Sequence, residues 1–233
     1  MPKATFVIFL HAGGISTSYL PLISKMKTVF PDYDFKIISL PGRLDVDKTR
    51  PFQDWSEVTR FVVTELKCIR SPIIFVGISF GGSVSYEVSK LAHVEKFDLI
   101  GLVVINSPSP DVNISHRLEA VLGSKELLSE FMFENSNSVD KRDFFEHVFP
   151  HISDAMIADL NLRRKWSYME HKAINYPILA LLSKNDSRVR REDMEGWRSY
   201  SQEGFSLGEI PGGHLPKEKE FLSAIDLTIK WVG

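Results

Sequence analysis

The chain has 233 residues, 43% of them apolar and 25% charged, with a net charge of -2. That balance suits one conventionally folded domain and excludes both a disordered chain and the strongly basic surface that nucleic acid requires. One cysteine, Cys68, excludes an internal disulfide and a Cys-rich zinc site, and its place in a helix-like segment predicts core filling.

In chain order, Ala4 to Leu10 is an apolar run too short for a signal peptide and is read as a first strand; it leads into His11-Ala12-Gly13-Gly14. Phe35 to Leu40 predicts a second strand. Trp55, Val58, Phe61, Val62 and Leu66 recur at helical spacing, entered through Asp54 with Glu57 three residues on, a capping-box variant. Further strands are predicted at Ile73 to Val76, Leu102 to Ile105 and Ile178 to Leu182. Phe205 to Ile210 is strand-like, and Phe221, Leu222, Ile225, Ile229 and Val232 form a closing helical stripe. Strands apolar at nearly every position suit a mostly parallel sheet covered on both faces, so the fold class is α/β.

The alternation stops between the fourth and fifth strands. Residues 112–172 show aromatic, helix-like stretches, including Phe131, Phe133, Phe144, Phe145 and Phe149, around a polar loop at Glu134 to Ser138. This predicts a helical lid inserted into a core made of residues 1–111 and 173–233. Its aromatic side chains are expected to cover a chamber or to pack the lid on the core. No stretch is long and apolar enough for a membrane span, and the expectation is a soluble, cytoplasmic protein.

Chemistry concentrates at Gly77-Ile78-Ser79-Phe80-Gly81-Gly82, which places G-x-S-x-G between a strand and a helix. A sharp strand-to-helix turn needs small residues two before and two after the serine, and Gly77 and Gly81 supply them. This is the nucleophile elbow of the α/β-hydrolase fold, and it nominates Ser79. The loop after the first strand then supplies one backbone N–H of an oxyanion hole and the residue after the serine the other, here Ala12 and Phe80. A serine hydroxyl needs a base and a carboxylate that orients it. Of seven histidines only His214, in Pro211-Gly212-Gly213-His214, follows a late strand-like segment. For the acid, Asp186 follows the strand at Ile178 to Leu182 and is preferred; Asp111, after the preceding strand, is the competitor.

Together these residues resemble the type II thioesterases of polyketide and nonribosomal peptide synthesis. The likeness spans nearly the whole chain: Leu10-His11-Ala12-Gly13-Gly14, Leu40-Pro41-Gly42-Arg43, the elbow, Met194-Glu195-Gly196-Trp197 after the acid, and Gly212-Gly213-His214. Ala158-Asp159 followed by Tyr168 resembles a weakened form of the family's Arg-Ala-Asp lid segment. Ile78, Phe80 and Ile157 depart from the family's usual histidine, methionine and arginine, which bears on substrate preference. The resemblance implies hydrolysis of acyl thioesters on the phosphopantetheine arm of an acyl or peptidyl carrier protein, for editing or release, with no metal or organic cofactor. The basic clusters Arg163-Arg164-Lys165 and Arg188, Arg190, Arg191 are candidates for steering an acidic carrier or are solvated surface. The same residues also fit a carboxylesterase, an acyltransferase or a non-catalytic binding scaffold.

Overall fold

The apolar runs lie side by side in the computed structural model, which describes residues 2–43, 49–134, 140–143, 146–147 and 149–233. Six strands, β1 (Ala4–Phe9), β2 (Tyr33–Ile38), β3 (Ile73–Ile78), β4 (Leu99–Ile105), β5 (Ile178–Ser183) and β6 (Phe205–Ile210), form one sheet in the order β2-β1-β3-β4-β5-β6. Every neighbouring pair is parallel. Parallel neighbours need crossovers, and helices supply them on both faces. On one face lie α2 (Trp55–Leu66) and α3 (Phe80–Ser89), whose Trp55, Val58, Val62, Val84 and Val88 are buried against Val7, Phe75 and Val104. On the other, α1 (Leu20–Val29) and α9 (Glu218–Val232) bury Leu22, Met26, Phe221 and Ile225 against Phe6, Ile8, Ile74 and Leu179. Alternate strand residues therefore face opposite cores, as the period of two demands. This is the α/β-hydrolase architecture expected above.

Between β4 and β5 the chain is helical, with α4 (Ser115–Gly123), α5 (Lys125–Glu134), the short α6 (Lys141–Asp143) and the long α7 (Phe149–Trp166). Phe131, Phe133 and Phe149 are partly buried against the core. Phe144 and Phe145, with most of the Glu134 to Ser138 loop, lie outside the described residues. Between β5 and β6 come α8 (Arg191–Glu195) and a 3-10 turn at Gly196–Tyr200.

Two local expectations are corrected. Helix α2 ends at Leu66, so Cys68 falls beyond the buried stripe and is exposed rather than core. Asp54 does occupy the N-cap of α2, but its side chain makes no capping hydrogen bond and accepts instead from Lys165 Nζ at 3.3 Å. The Glu57 carboxylate reaches back to Gln53 N–H, one residue before the cap, at 3.0 Å.

Candidate active site

The end of β3 runs straight into α3 through Ser79, whose φ of 53° lies in the left-handed region that a non-glycine residue rarely occupies. The turn is forced by its neighbours. A Cβ on Gly77 would run into the Gly81 carbonyl and the Ser85 hydroxyl, and one on Gly81 into the Phe9 carbonyl, so β1, β3 and α3 meet only because both positions lack a side chain. Ser79 N–H donates to the Ile105 carbonyl at 2.9 Å and its own carbonyl accepts from Gly82 N–H at 2.9 Å, which holds the strained residue from both sides.

The loops at the carboxyl ends of β5 and β6 bring two further residues to the serine. His214 Nε2 stands 3.0 Å from Ser79 Oγ, and His214 Nδ1 stands 2.8 Å from Asp186 Oδ2. The other Asp186 oxygen accepts from the amides of Arg188 at 2.8 Å and Val189 at 3.1 Å. Burial pushes this carboxyl up, but the His214 hydrogen bond and charge, with the two amides, outweigh it and hold the pKa below the ordinary carboxylate value. The acid and histidine loops are laced together, Lys184 N–H donating to Ile210 O and Asn185 N–H to Gly212 O, each at 2.9 Å. Asp111 does not join this group; it is exposed and accepts from Ser109 Oγ at 2.6 Å. A hydroxyl, an imidazole and a carboxylate in line are what proton removal from an alcohol requires.

Ala12 is buried and lies beside Ser79 in the wall of the same cavity, while Phe80 opens α3, where first-turn N–H groups have no acceptor within the helix. The Ala12 loop is bent by a Gly14 N–H to His11 O bond of 2.9 Å and by Gly13 at φ 70°. His11 shares the cavity, its Nδ1 lying 3.2 Å from the Tyr19 hydroxyl. Burial, helped by His214 and Arg43, pulls the His11 pKa down to about 3, so this imidazole is neutral at working pH. The cavity holds about 700 Å³ of unfilled space, partly open to solvent. Phe80, Leu118, Phe131, Met156, Leu160 and Val189 supply most of its apolar wall.

Several contacts carry weight that sequence reading missed. Asn106, at φ 50° after β4, accepts from Ser183 N–H at 2.7 Å and donates to Ser183 Oγ at 2.8 Å and His214 O at 2.7 Å. An asparagine between a strand and a Ser-Pro turn was its one visible signal, because Asn tolerates the left-handed region better than most residues. Arg43, from the Leu-Pro-Gly-Arg turn, forms a buried ion pair with Asp159 of α7, while its Nε donates to Gly14 O at 2.8 Å and Gly13 N–H donates to Asp159 at 2.8 Å. Burial pushes the Asp159 carboxyl up and Arg43 and the Gly13 amide pull it part of the way back. Trp197 is fully buried, donates to Ser107 O at 2.7 Å and packs edge-on to Tyr86 of α3. Ile78 faces the core rather than the cavity, Ile157 packs against the core, and Tyr168 is exposed with its hydroxyl donating to Ser115 Oγ at 2.9 Å.

The basic clusters are not two open cationic faces. Arg163 is buried, Lys165 bonds to Asp54, Arg190 pairs with Asp193, and Arg191 pairs with both Glu195 and Glu209. Among the described residues no three His, Cys, Asp or Glu side chains cluster so as to hold a metal ion, and no helix is long and apolar enough to cross a membrane.

A parallel six-stranded sheet with a serine elbow on its third strand and a histidine and an aspartate contributed by the last two strand ends defines an α/β-hydrolase-fold hydrolase. Residues 4–226 match the thioesterase domain family, and the chain belongs to it, an enzyme class that hydrolyses thioesters. Thioesterase TesA of Mycobacterium marinum is 23% identical over 229 residues, covering 96% of this chain and 90% of its own. Among solved structures, the RedJ thioesterase of the prodiginine pathway in Streptomyces coelicolor superposes with a TM-score of 0.80 at 20% identity, over 97% of this chain and 85% of that one. The type II thioesterase BorB of the borrelidin cluster gives 0.76 at 20% identity, over 100% and 94%.

Proposed function

We propose that the chain is a type II thioesterase that frees acyl groups from the phosphopantetheine arm of an acyl or peptidyl carrier protein, with Ser79 as nucleophile, His214 as general base and acid, and Asp186 fixing the imidazole. The single observation that carries the reading is the unbroken contact from Ser79 Oγ through His214 to Asp186 at 3.0 and 2.8 Å. Ser79 Oγ adds to the thioester carbonyl as its proton passes to His214 Nε2, and the developing oxyanion is received by the amides of Ala12 and Phe80. Collapse expels the pantetheine thiolate, which takes the proton from His214 and leaves as the thiol. Water then attacks the acyl-serine, delivering its own proton through His214, and releases the free acid. Nothing in this cycle calls for a metal or an organic cofactor; the phosphopantetheine belongs to the substrate.

The carrier-bound substrate and the synthase setting are supported by the relatives: RedJ, BorB and YbtT are thioesterases of biosynthetic pathways, YbtT from a combined nonribosomal peptide and polyketide route. The helices between β4 and β5, residues 112–172, act in this reading as a lid over the acyl chamber, since Leu118, Phe131 and Met156 from that segment line it. In the test, Ser79→Ala is compared with the native protein on a panel of acyl-carrier proteins. The native protein releases free acid and the variant's turnover falls by about 10⁴-fold or more with an unchanged melting temperature. Comparable turnover in the variant would eliminate the assignment.

A further inference from the structure

The wall of the cavity beside Ser79 holds three arginines, Arg117, Arg163 and Arg188, and among the described residues no carboxylate. Arg117 is exposed, and the Arg188 guanidinium lies 4.8 Å from the Phe131 ring centroid. Arg163 is different. Near the end of α7 it is only 4% exposed; its Nη1 donates to Ser167 Oγ at 2.9 Å and its guanidinium lies 4.5 Å from the Trp166 ring centroid. Its Nη2 is buried with no hydrogen-bond partner. Burial pulls its pKa down to about 9, so it remains a cation at neutral pH.

A guanidinium withdrawn from water is ordinarily matched by a carboxylate and by acceptors for its N–H groups. Arg43, equally buried, has both, through Asp159 and the carbonyls of Gly14, Leu40 and Pro41. Arg163 has neither an acidic partner among the described residues nor an acceptor for Nη2. An unmatched cation in the wall of a substrate chamber is the signature of a ligand that brings the counter-charge with it. The apolar side chains of the cavity wall suit methylene groups, so the complementary ligand has a hydrocarbon stretch ending in an oxyanion, and because Ser79 and Arg163 line one and the same cavity that stretch is short. A phosphodiester on the carrier arm is tied to the surface of a folded protein and fits poorly against a group this buried; a carboxylate at the free end of the acyl chain does not have that constraint.

Building on the reading of Ser79 as nucleophile, we infer that Arg163 receives the distal carboxylate of the acyl group and that the preferred substrates are thioesters of short dicarboxylic acids. The test uses N-acetylcysteamine thioesters, which carry no phosphate, so any preference arises at the acyl end. Succinyl is compared with butyryl and glutaryl with pentanoyl, each corrected for breakdown without enzyme because a succinyl thioester is also attacked by its own carboxylate.

The expected result is that kcat/KM favours the carboxylated member of each pair by about tenfold or more. In Arg163→Met that ratio falls to one or below, and in Arg163→Lys it is partly restored. Equal or better hydrolysis of the uncharged member by the native protein, or a ratio unchanged in Arg163→Met, overturns the inference. Should Arg163→Met fail to fold, the native protein decides alone: free glutarate inhibits competitively and raises the melting temperature while butyrate at the same concentration does neither. Equal effects of the two acids count against Arg163. If no thioester is hydrolysed at all, the reading of Ser79 falls, and glutarate binding still decides the fate of the carboxylate site.

Discussion

Two imidazoles share the cavity, and their surroundings assign them different work. His214 lies between Ser79 and Asp186 at 3.0 and 2.8 Å, whereas the His11 ring is hydrogen-bonded to the Tyr19 hydroxyl and is held neutral chiefly by burial, with a pKa of about 3. Burial likewise raises the Tyr19 phenol to about 12, so the pair is uncharged throughout the working range. In the unfolded chain His11 titrates near the ordinary value of about 6.5. Between about 6.5 and 3 the unfolded state therefore binds the proton that the folded state refuses. The stability His11 contributes is complete above that window and is lost as the pH falls through it. In scanning calorimetry the melting temperature of the native protein should drop more steeply from pH 6.5 to pH 4 than that of His11→Gln, which has no proton to gain. Parallel slopes would show that the folded state leaves this imidazole open to protonation.

Among the elements, strand ends decide the geometry, and the end of β4 shows how. Asn106 ties that end to Ser183 on β5 and to the His214 carbonyl beyond β6, so one side chain sets the spacing of three loops. Asn106→Ala strands the buried Ser183 amide and puts a less tolerant residue at φ 50°, a loss of about 2–4 kcal/mol read from the urea midpoint. The freed histidine loop should also lower kcat by about tenfold. Asn106→Gly relieves the backbone and is expected to regain part of the stability but none of kcat; full recovery of both would reduce Asn106 to a backbone role. This contact was invisible in the sequence because it joins positions 77 and 108 residues apart. The strands were legible for the opposite reason: being covered on both faces, they are apolar at almost every position, as in the wholly buried β1 and β3. The elbow was legible because two glycines at fixed spacing record a steric demand of the backbone itself. Cys68 and Asp54 were misread because helix ends depend on tertiary partners, Lys165 in the case of Asp54, that periodicity does not encode.

For the molecule as a whole, the central connection is the buried pair of Arg43 and Asp159, which joins the turn after β2, the glycine loop after β1 and the helical segment over the cavity. Each charge is tolerable there only because the other is present. Arg43→Met leaves a carboxylate buried beside the Gly13 amide, and Asp159→Leu leaves a guanidinium with carbonyl partners alone, so each single variant should lose about 3–5 kcal/mol. Arg43→Met with Asp159→Leu removes both charges; it leaves the Gly13 N–H and the carbonyls of Gly14, Leu40 and Pro41 without these partners, but no buried charge uncompensated, and should lose clearly less than the sum, giving a coupling energy of about 2 kcal/mol or more in a denaturant double-mutant cycle. Additive losses would mean that the two side chains merely fill space. The same variants separate fold from function: Gly13 adjoins Ala12, whose amide the proposed mechanism sets against the oxyanion, so removing Asp159 releases that loop and should depress kcat even in the charge-free double variant, at a temperature where that variant is fully folded. A double variant with native kcat would show instead that the Ala12 loop keeps its shape through the Gly14 turn alone, and that the ion pair serves only to hold α7 down.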